Sequence, residues 1–480
     1  MTPPPRGGEG RGRVNLPRTP SLFWSPGTGR RGQVPDGREG RGARGEVPFP
    51  PIVLGALLLA WPALLNGYPL VFSDTGGFLH QTSGPLMLWD KPWVYGPLLH
   101  AFHWGVTLWM PLAAQALVVS HLLWVTQRAL RGGATAAAHL AVCLVAAALT
   151  SAPFTVAMLM PDVFAPVVVL ALAMIGLAGP SLSRGERAWF AILAALGIAA
   201  HLAHVPLALA MVGVALLAGQ WRGALRATVP LAAAVALLLA TNAVGHGRAV
   251  LSPHGATFLL ARLQADGPAT EVIRARCPAA GWYLCAFVDR LPMDANDFLW
   301  APDSPVNRDA RGHARFLGGA LIAREAGEIV AETLRAHPLE VTVAVLRNAA
   351  RQLVTLGITD TLGNAHLDVA LRPRLAEGFP ARELAAFDAS AQARGVLRDA
   401  VAWLEPVHAA VLLLSLPLLV VALVRQGGRV RVLIALAVVA GVAGNAVATG
   451  GLSGVFPRYQ ARIAWLLPVL AAMLLLRRRG

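Results

Sequence analysis

The chain has 480 residues, 55% of them hydrophobic and only 14% charged, with a mean hydropathy of +0.55. A soluble globular chain carries roughly 25% charged residues, so this balance excludes an ordinary soluble enzyme and indicates an integral membrane protein. The net charge of +15 does not indicate a nucleic-acid partner: Lys91 is the only lysine, and much of the arginine excess lies in the N-terminal tail and in short connections between apolar runs, where cytoplasmic loops carry positive charge.

Residues 1–49 are rich in Arg, Gly and Pro and lack apolar periodicity. They cannot bury enough surface to fold, and read as a disordered basic cytoplasmic tail or as an over-extended start. A cleavable signal peptide does not fit so long a leader. Beyond it, Leu/Ala/Val-rich runs of about 20 residues recur, long enough to cross ~30 Å of hydrocarbon as helices. The short alternating segments of a barrel are missing from the sequence. The predicted fold class is therefore an all-α polytopic membrane protein with about ten transmembrane helices.

Spans are expected at about 50–68, 104–126, 134–152, 164–180, 188–203, 205–219 and 228–245. A hydrophilic stretch at 247–401 follows, then spans at about 405–424, 432–449 and 463–476. This divides the chain into a tail (1–49), a first helical block (50–246), an extracytoplasmic segment (247–401) that is mainly helical, and a second helical block (402–480). Every connection assigned to the cytoplasm carries arginine: Arg128 and Arg131, Arg184 and Arg187, Arg222 and Arg226, Arg425, Arg429 and Arg431, and Arg477 to Arg479. The positive-inside rule then places the N-terminus in the cytoplasm of a multi-pass protein of the inner (plasma) membrane.

The opposite, extracytoplasmic side receives the loop at 66–97, the turn bearing Asp162, the HLAHVP turn with His201 and His204, the 247–401 segment, and the GGLSGVFPRYQAR stretch before the last span. Within 247–401, Leu339, Val343, Leu346, Ala350 and Leu353 recur at helical spacing. Arg347 and Arg351 share one face of that helix, the pattern of an amphipathic helix lying on a membrane surface. Cys277 and Cys285 leave a disulfide open: an oxidising compartment favours it, and spacing does not decide it. The run from Asp294 to Asp297 lacks the Gly and terminal Glu of a calcium loop and reads as a turn.

The loop at 66–97 carries the densest chemistry. Asp74 stands between Ser73 and Thr75, ahead of Gly76 and Gly77, and Asp90, Lys91 and Tyr95 follow. A carboxylate held beside a membrane span is a functional-site hypothesis by default, although a Ser-Asp-Thr run before apolar residues also fits a helix N-cap. Asp162 fits a cap of the fourth span or a second carboxylate on the same face. Arg458 and Arg462 fit phosphate ligands, since guanidinium matches phosphate oxygens bidentately, or interfacial anchors beside Trp465. His201 and His204 are three apart and would share a helical face; two histidines are too few for a zinc site, so a hydrogen-bonded pair or a lipid-phosphate or sugar contact is expected. The chain has no Gly-rich nucleotide cradle.

Span order and these motifs resemble the C-type glycosyltransferase (GT-C) superfamily, which includes oligosaccharyltransferases, protein O-mannosyltransferases and lipid A aminoarabinose transferases. In that family the first outer loop carries the catalytic Asp, matched here by Asp74 in FSDTGGF. A basic Pro-x-x-Tyr element introduces the second span, matched by Lys91-Pro92-Trp93-Val94-Tyr95, and a basic-Tyr element precedes a late span, matched by Arg458-Tyr459 and Arg462. The resemblance implies transfer of a sugar from a polyprenyl-phosphate donor to a glycan, glycolipid or protein acceptor of the envelope. Asp74 would then be general base, Lys91, Arg458, Tyr459 and Arg462 would hold the donor phosphate, and Asp162, His201, His204 and Tyr95 would support the site or the acceptor. The family's paired acids are missing beside Asp74, which leaves open whether a divalent metal takes part. A secondary transporter or lipid flippase, and a non-catalytic envelope assembly protein, are the alternative expectations. Charge-poor spans with polar groups at their ends favour the enzyme over alternating access.

Overall fold

The computed structural model describes residues 49–84 and 87–476. The expected N-terminal tail, apart from Phe49, and Arg477 to Arg479 lie outside the described residues. Among those residues the chain is helical throughout, with isolated β-bridges at Leu70–Met158 and Arg308–Ala314 and no strand.

Four helices are long and apolar enough to cross a membrane by length and composition: Trp109–Arg131, Trp221–His246, Leu397–Gln426 and Arg429–Gly451. The remaining intervals read as spans are helical too, but in shorter pieces. The first is Phe49–Leu59 followed by Trp61–Asn66, and the last is Leu466–Leu475, set off at Trp465 from the Pro457–Ala464 helix before it. An 11-residue helix such as Phe49–Leu59 rises about 16 Å, half of a ~30 Å hydrocarbon core. Both breaks have a local cause, because Pro62 and Pro468 lack the N–H that would bond the carbonyl four residues back.

One apolar core joins these helices, and residues 358–401 belong to it through Ile358, Leu367, Leu371, Leu375, Phe387 and Leu397. A second core, built on Leu260, Ile273, Leu284, Phe298 and Ile329, lies wholly within the first part of the hydrophilic stretch. That stretch is thus two structures. Its first part is a small helical body carrying the Cys277–Cys285 disulfide, with Cα atoms 5.3 Å apart. Its second part packs onto the helix ends: Glu383 accepts from Tyr68 Oη at 2.9 Å and from the Leu108 amide at 2.8 Å. Asp294 caps the Ala295–Trp300 helix, so the run read as a turn is instead the start of a helix.

The expected amphipathic helix forms as Pro338–Val354. Leu339, Val343 and Leu346 are 74%, 54% and 60% exposed, while Val341, Ala344, Asn348 and Gln352 are buried. The buried face rests on Gly450 and Gly451 at the end of the Arg429–Gly451 helix, where a side chain in place of either glycine would meet Gln352 or Val345.

Candidate functional site

Asp74 is positioned by the residues on either side of it. The segment before it bridges to Met158, with the Leu70 amide donating to Ala157 O at 3.1 Å and the Leu159 amide donating to Leu70 O at 2.9 Å. Thr75 Oγ1 accepts from the Phe72 amide at 2.9 Å and donates to Leu159 O at 3.1 Å. The Ser73–Ser83 helix therefore starts locked against residues 157–160, with Asp74 at its second position and Phe72 as its N-cap residue. The cap role open to Asp74 is not the one it takes: its carboxyl turns to Lys91, Oδ1 lying 3.0 Å from Nζ, with about a third of the side chain exposed.

Lys91 arrives from a loop tied to the same helix. Gln81 accepts from the Gly96 amide and donates to Pro92 O, and Trp93 Nε1 donates to Gln81 O. Gly77 leaves the room that Lys91 occupies, since a Cβ there would stand 3.3 Å from Lys91 Cε. Lys91 also pairs with Asp90. Burial raises the Asp74 carboxyl, but Lys91 and then Arg458 outweigh it and hold it below the ordinary carboxylate range. Lys91 is correspondingly pushed above the ordinary lysine range by Asp74 and Asp90, against the cost of burial. The Lys91 ammonium thus pairs with both carboxylates. Among the described residues one acid–histidine cluster has metal-ligand spacing, Glu271, His337 and Glu340, and it includes none of the site residues.

The Pro457–Ala464 helix supplies two arginines with opposite fates. Arg458 lies over the rings of Phe72, Phe456 and Tyr459 at 4.7, 5.1 and 4.8 Å, a stacking that guanidinium favours. Its Nη2 donates to Tyr459 Oη at 3.4 Å. Arg462 is 2% exposed. Its Nη1 stands 3.1 Å from Asp162 Oδ1, and its Nε and Nη2 both donate to Asn445 Oδ1, at 3.1 and 2.8 Å. Three guanidinium nitrogens of Arg462 thus have protein acceptors, although the residue also lines the cavity described below. Of the two roles open to Asp162 the cap is not taken, since it makes no cap hydrogen bond to the helix after it.

His201 follows the Arg184–Ala200 helix and His204 opens the His204–Leu217 helix, so the two do not share a helical face as expected. Their rings still lie 5.2 Å apart. His201 is electrostatically coupled to Asp74, Asp162, Arg458 and Arg462 and belongs to the cluster, whereas His204 Nδ1 is taken by Gly197 O at 2.7 Å. Tyr95 is buried between Phe78 and Phe164, its hydroxyl 3.4 Å from Gln115 Oε1.

Three residues at the site went unnoticed in the sequence. Asp360 Oδ2 accepts the Arg458 amide at 3.2 Å. Glu405 Oε1 holds the loop before it, accepting from the Ile358 and Thr359 amides and from Thr359 Oγ1 at 2.7 to 2.9 Å. Gln392 joins this loop to the Asp74 segment: its amide group bonds both the N–H and the C=O of Val71 and donates to Thr361 O. The signal for Asp360 was a Thr-Asp-Thr run ahead of a glycine-containing turn, a near repeat of Ser73-Asp74-Thr75-Gly76.

Between these elements lies a cavity of about 40 Å³, lined by Met160, Asp162, Ile358, Thr361, Arg458 and Arg462 among others. The arrangement couples one carboxylate that water can reach, a lysine beside it, and an arginine cation in an aromatic cage. Comparison with protein-family models, curated proteins and solved structures gives no match.

Proposed function

We propose that the chain is a multi-pass membrane glycosyltransferase of the GT-C kind, with about ten helical segments in the membrane. It would transfer a sugar from a polyprenyl-phosphate donor to an envelope acceptor on the extracytoplasmic face. The observation that carries this reading is the Asp74–Lys91 contact of 3.0 Å on a segment also covered by Arg458. Sugar transfer from a lipid phosphate needs a base for the acceptor hydroxyl and cations for the departing phosphate, and a phosphate leaves without a general acid.

In the step, the acceptor oxygen forms a bond to the sugar's anomeric carbon as the bond from that carbon to the phosphate oxygen breaks. The acceptor proton goes to Asp74, and the electron pair leaves with the polyprenyl phosphate, held by Lys91 and Arg458. The resting pair has a consequence. Asp74 in the grip of Lys91 is a weak base, since a good base has a pKa near the working pH. A donor phosphate competes for the same ammonium, so donor binding draws Lys91 away and raises the basicity of Asp74. Base and donor are thereby linked. The disulfide in the 247–401 segment agrees with an oxidising, extracytoplasmic side.

The test is Asp74→Asn in the full chain, scored by surface-glycan or glycolipid modification at matched protein level. A loss of about 10²- to 10⁴-fold is expected for removal of a general base; full modification at normal abundance overturns the assignment. A carrier reading draws on the buried Asp162–Arg462 pair and on the helix break at Trp465, features that transporters also use. It predicts ligand accumulation in sealed vesicles with no covalent transfer.

A further inference from the structure

Asp360 and Arg458 are each left incomplete by the fold. Among the described residues no cation stands within salt-bridge distance of Asp360, and no carboxylate stands within that distance of the Arg458 guanidinium. Asp360 Oδ1 and Arg458 Nε are buried atoms without a hydrogen-bond partner. An unmet carboxylate oxygen and an unmet guanidinium N–H in one site are costly unless a ligand completes them. Burial raises the Asp360 carboxyl above its ordinary range even with Arg458 near it.

The loop is built to hold this geometry. Glu405 fixes the residues on one side of Asp360 and Gln392 fixes Thr361 on the other, so the carboxyl has a defined place. The same loop lines the cavity of about 40 Å³ through Gly357, Ile358 and Thr361, and Arg458 lines it too, enough room for a hydroxyl-sized group. A group that meets both needs must donate to a carboxylate and stand next to an anion that takes the guanidinium. A sugar ring hydroxyl beside a phosphate ester has this pairing.

We propose that Asp360 is a specificity-determining residue that accepts a hydrogen bond from a hydroxyl of the donor sugar while Arg458 holds the adjoining phosphate. The assignment rests on the glycosyltransferase reading and adds to it that the hydrophilic segment reads the donor. A hydroxyl bound to a carboxylate oxygen that water does not reach is discriminated strongly, because a site left with an unpaired polar group rejects the ligand that lacks its partner.

The experiment uses the full chain in nanodiscs with bare undecaprenyl phosphate and a panel of undecaprenyl-phosphate hexoses, and binding is read by microscale thermophoresis. Wild type is expected to bind at least one hexosyl lipid about tenfold or more tighter than the bare lipid. Asp360→Asn should erase that margin with affinity for the bare lipid unchanged, and Arg458→Gln should weaken both lipids. A margin that survives Asp360→Asn, or a wild type that binds bare and hexosyl lipids equally, overturns the role of Asp360 and leaves the donor class standing. A wild type that binds neither lipid overturns both. If Asp360→Asn does not fold, Asp360→Glu, which keeps the charge and displaces the oxygen, must shift the ranking within the panel; an unchanged ranking overturns the proposal.

Discussion

Two acid–base pairs lie in this cluster, and the fold treats them differently. Asp162–Arg462 is sealed, with side chains 12% and 2% exposed, and Asn445 takes up further guanidinium donors. Asp74–Lys91 stands at an open edge, with 36% of the Asp74 side chain accessible. Both contacts are about 3 Å long, so distance does not separate them. Burial does: a sealed pair cannot give up its partner without stranding a charge, whereas an open pair can exchange its partner for a ligand. The first has the burial of framework, and the second has the access to a ligand that the proposed reaction needs.

The largest effect should come from breaking the framework pair. Arg462→Gln leaves Asp162 as an uncompensated buried charge and should cost about 3–5 kcal/mol of stability, with loss of folded protein in detergent. Replacing both members, Asp162→Asn with Arg462→Gln, removes the stranded charge and should recover much of that loss. Size-exclusion profiles and thermal melting of the three variants check this. Equal melting of Arg462→Gln and wild type would mean that the sealed pair contributes no more than the open one.

Next in size is the staple between the two regions. Gln392 is fully buried, and Gln392→Leu would leave the Val71 amide and carbonyl without the side chain that bonds both. A cost of about 1–3 kcal/mol follows from stranding such groups. Because Val71 leads into Asp74 and Thr361 follows Asp360, activity should fall further than a merely structural loss would cause. The comparison to make is the transfer rate at equal folded fraction, which a purely global destabilisation would leave at the wild-type value.

How much of this was legible depended on distance along the chain. Asp74 and Lys91 lie in one short loop, so their proximity could be argued from the sequence, as could the apolar runs. The broken helices could not, because Pro62 and Pro468 sit inside stretches whose hydropathy masks a local loss of hydrogen bonding. Arg458 and Arg462 looked alike because both are arginines in PRYQAR; what separates them is Asn445 and Asp162, the latter 300 positions away from Arg462. Asp360 was hidden for the same reason. Its place in the site is made by Gln392 and Glu405, neither of which has a motif.

The smallest effect is also the most discriminating. The Asp74 carboxyl titrates below the ordinary carboxylate value, so its pair with Lys91 adds stability that is present above about pH 4 and is lost as pH falls through the lowered value. Lys91 titrates above the ordinary lysine value, so its side of the pair is retained until pH rises past about 10. Between these limits the stability difference between wild type and Asp74→Asn should be flat, and with Asp74 a third exposed it should stay under about 1 kcal/mol. Melting curves of the two proteins across roughly pH 3 to 9 should converge only at the acid end. A gap that widens on acidification would mean that Asp74 is protonated at rest, and a carboxylic acid already holding its proton cannot take one from an acceptor. A gap of several kcal/mol would instead place Asp74 with Asp162 as framework, and the distinction between the sealed and the open pair would collapse.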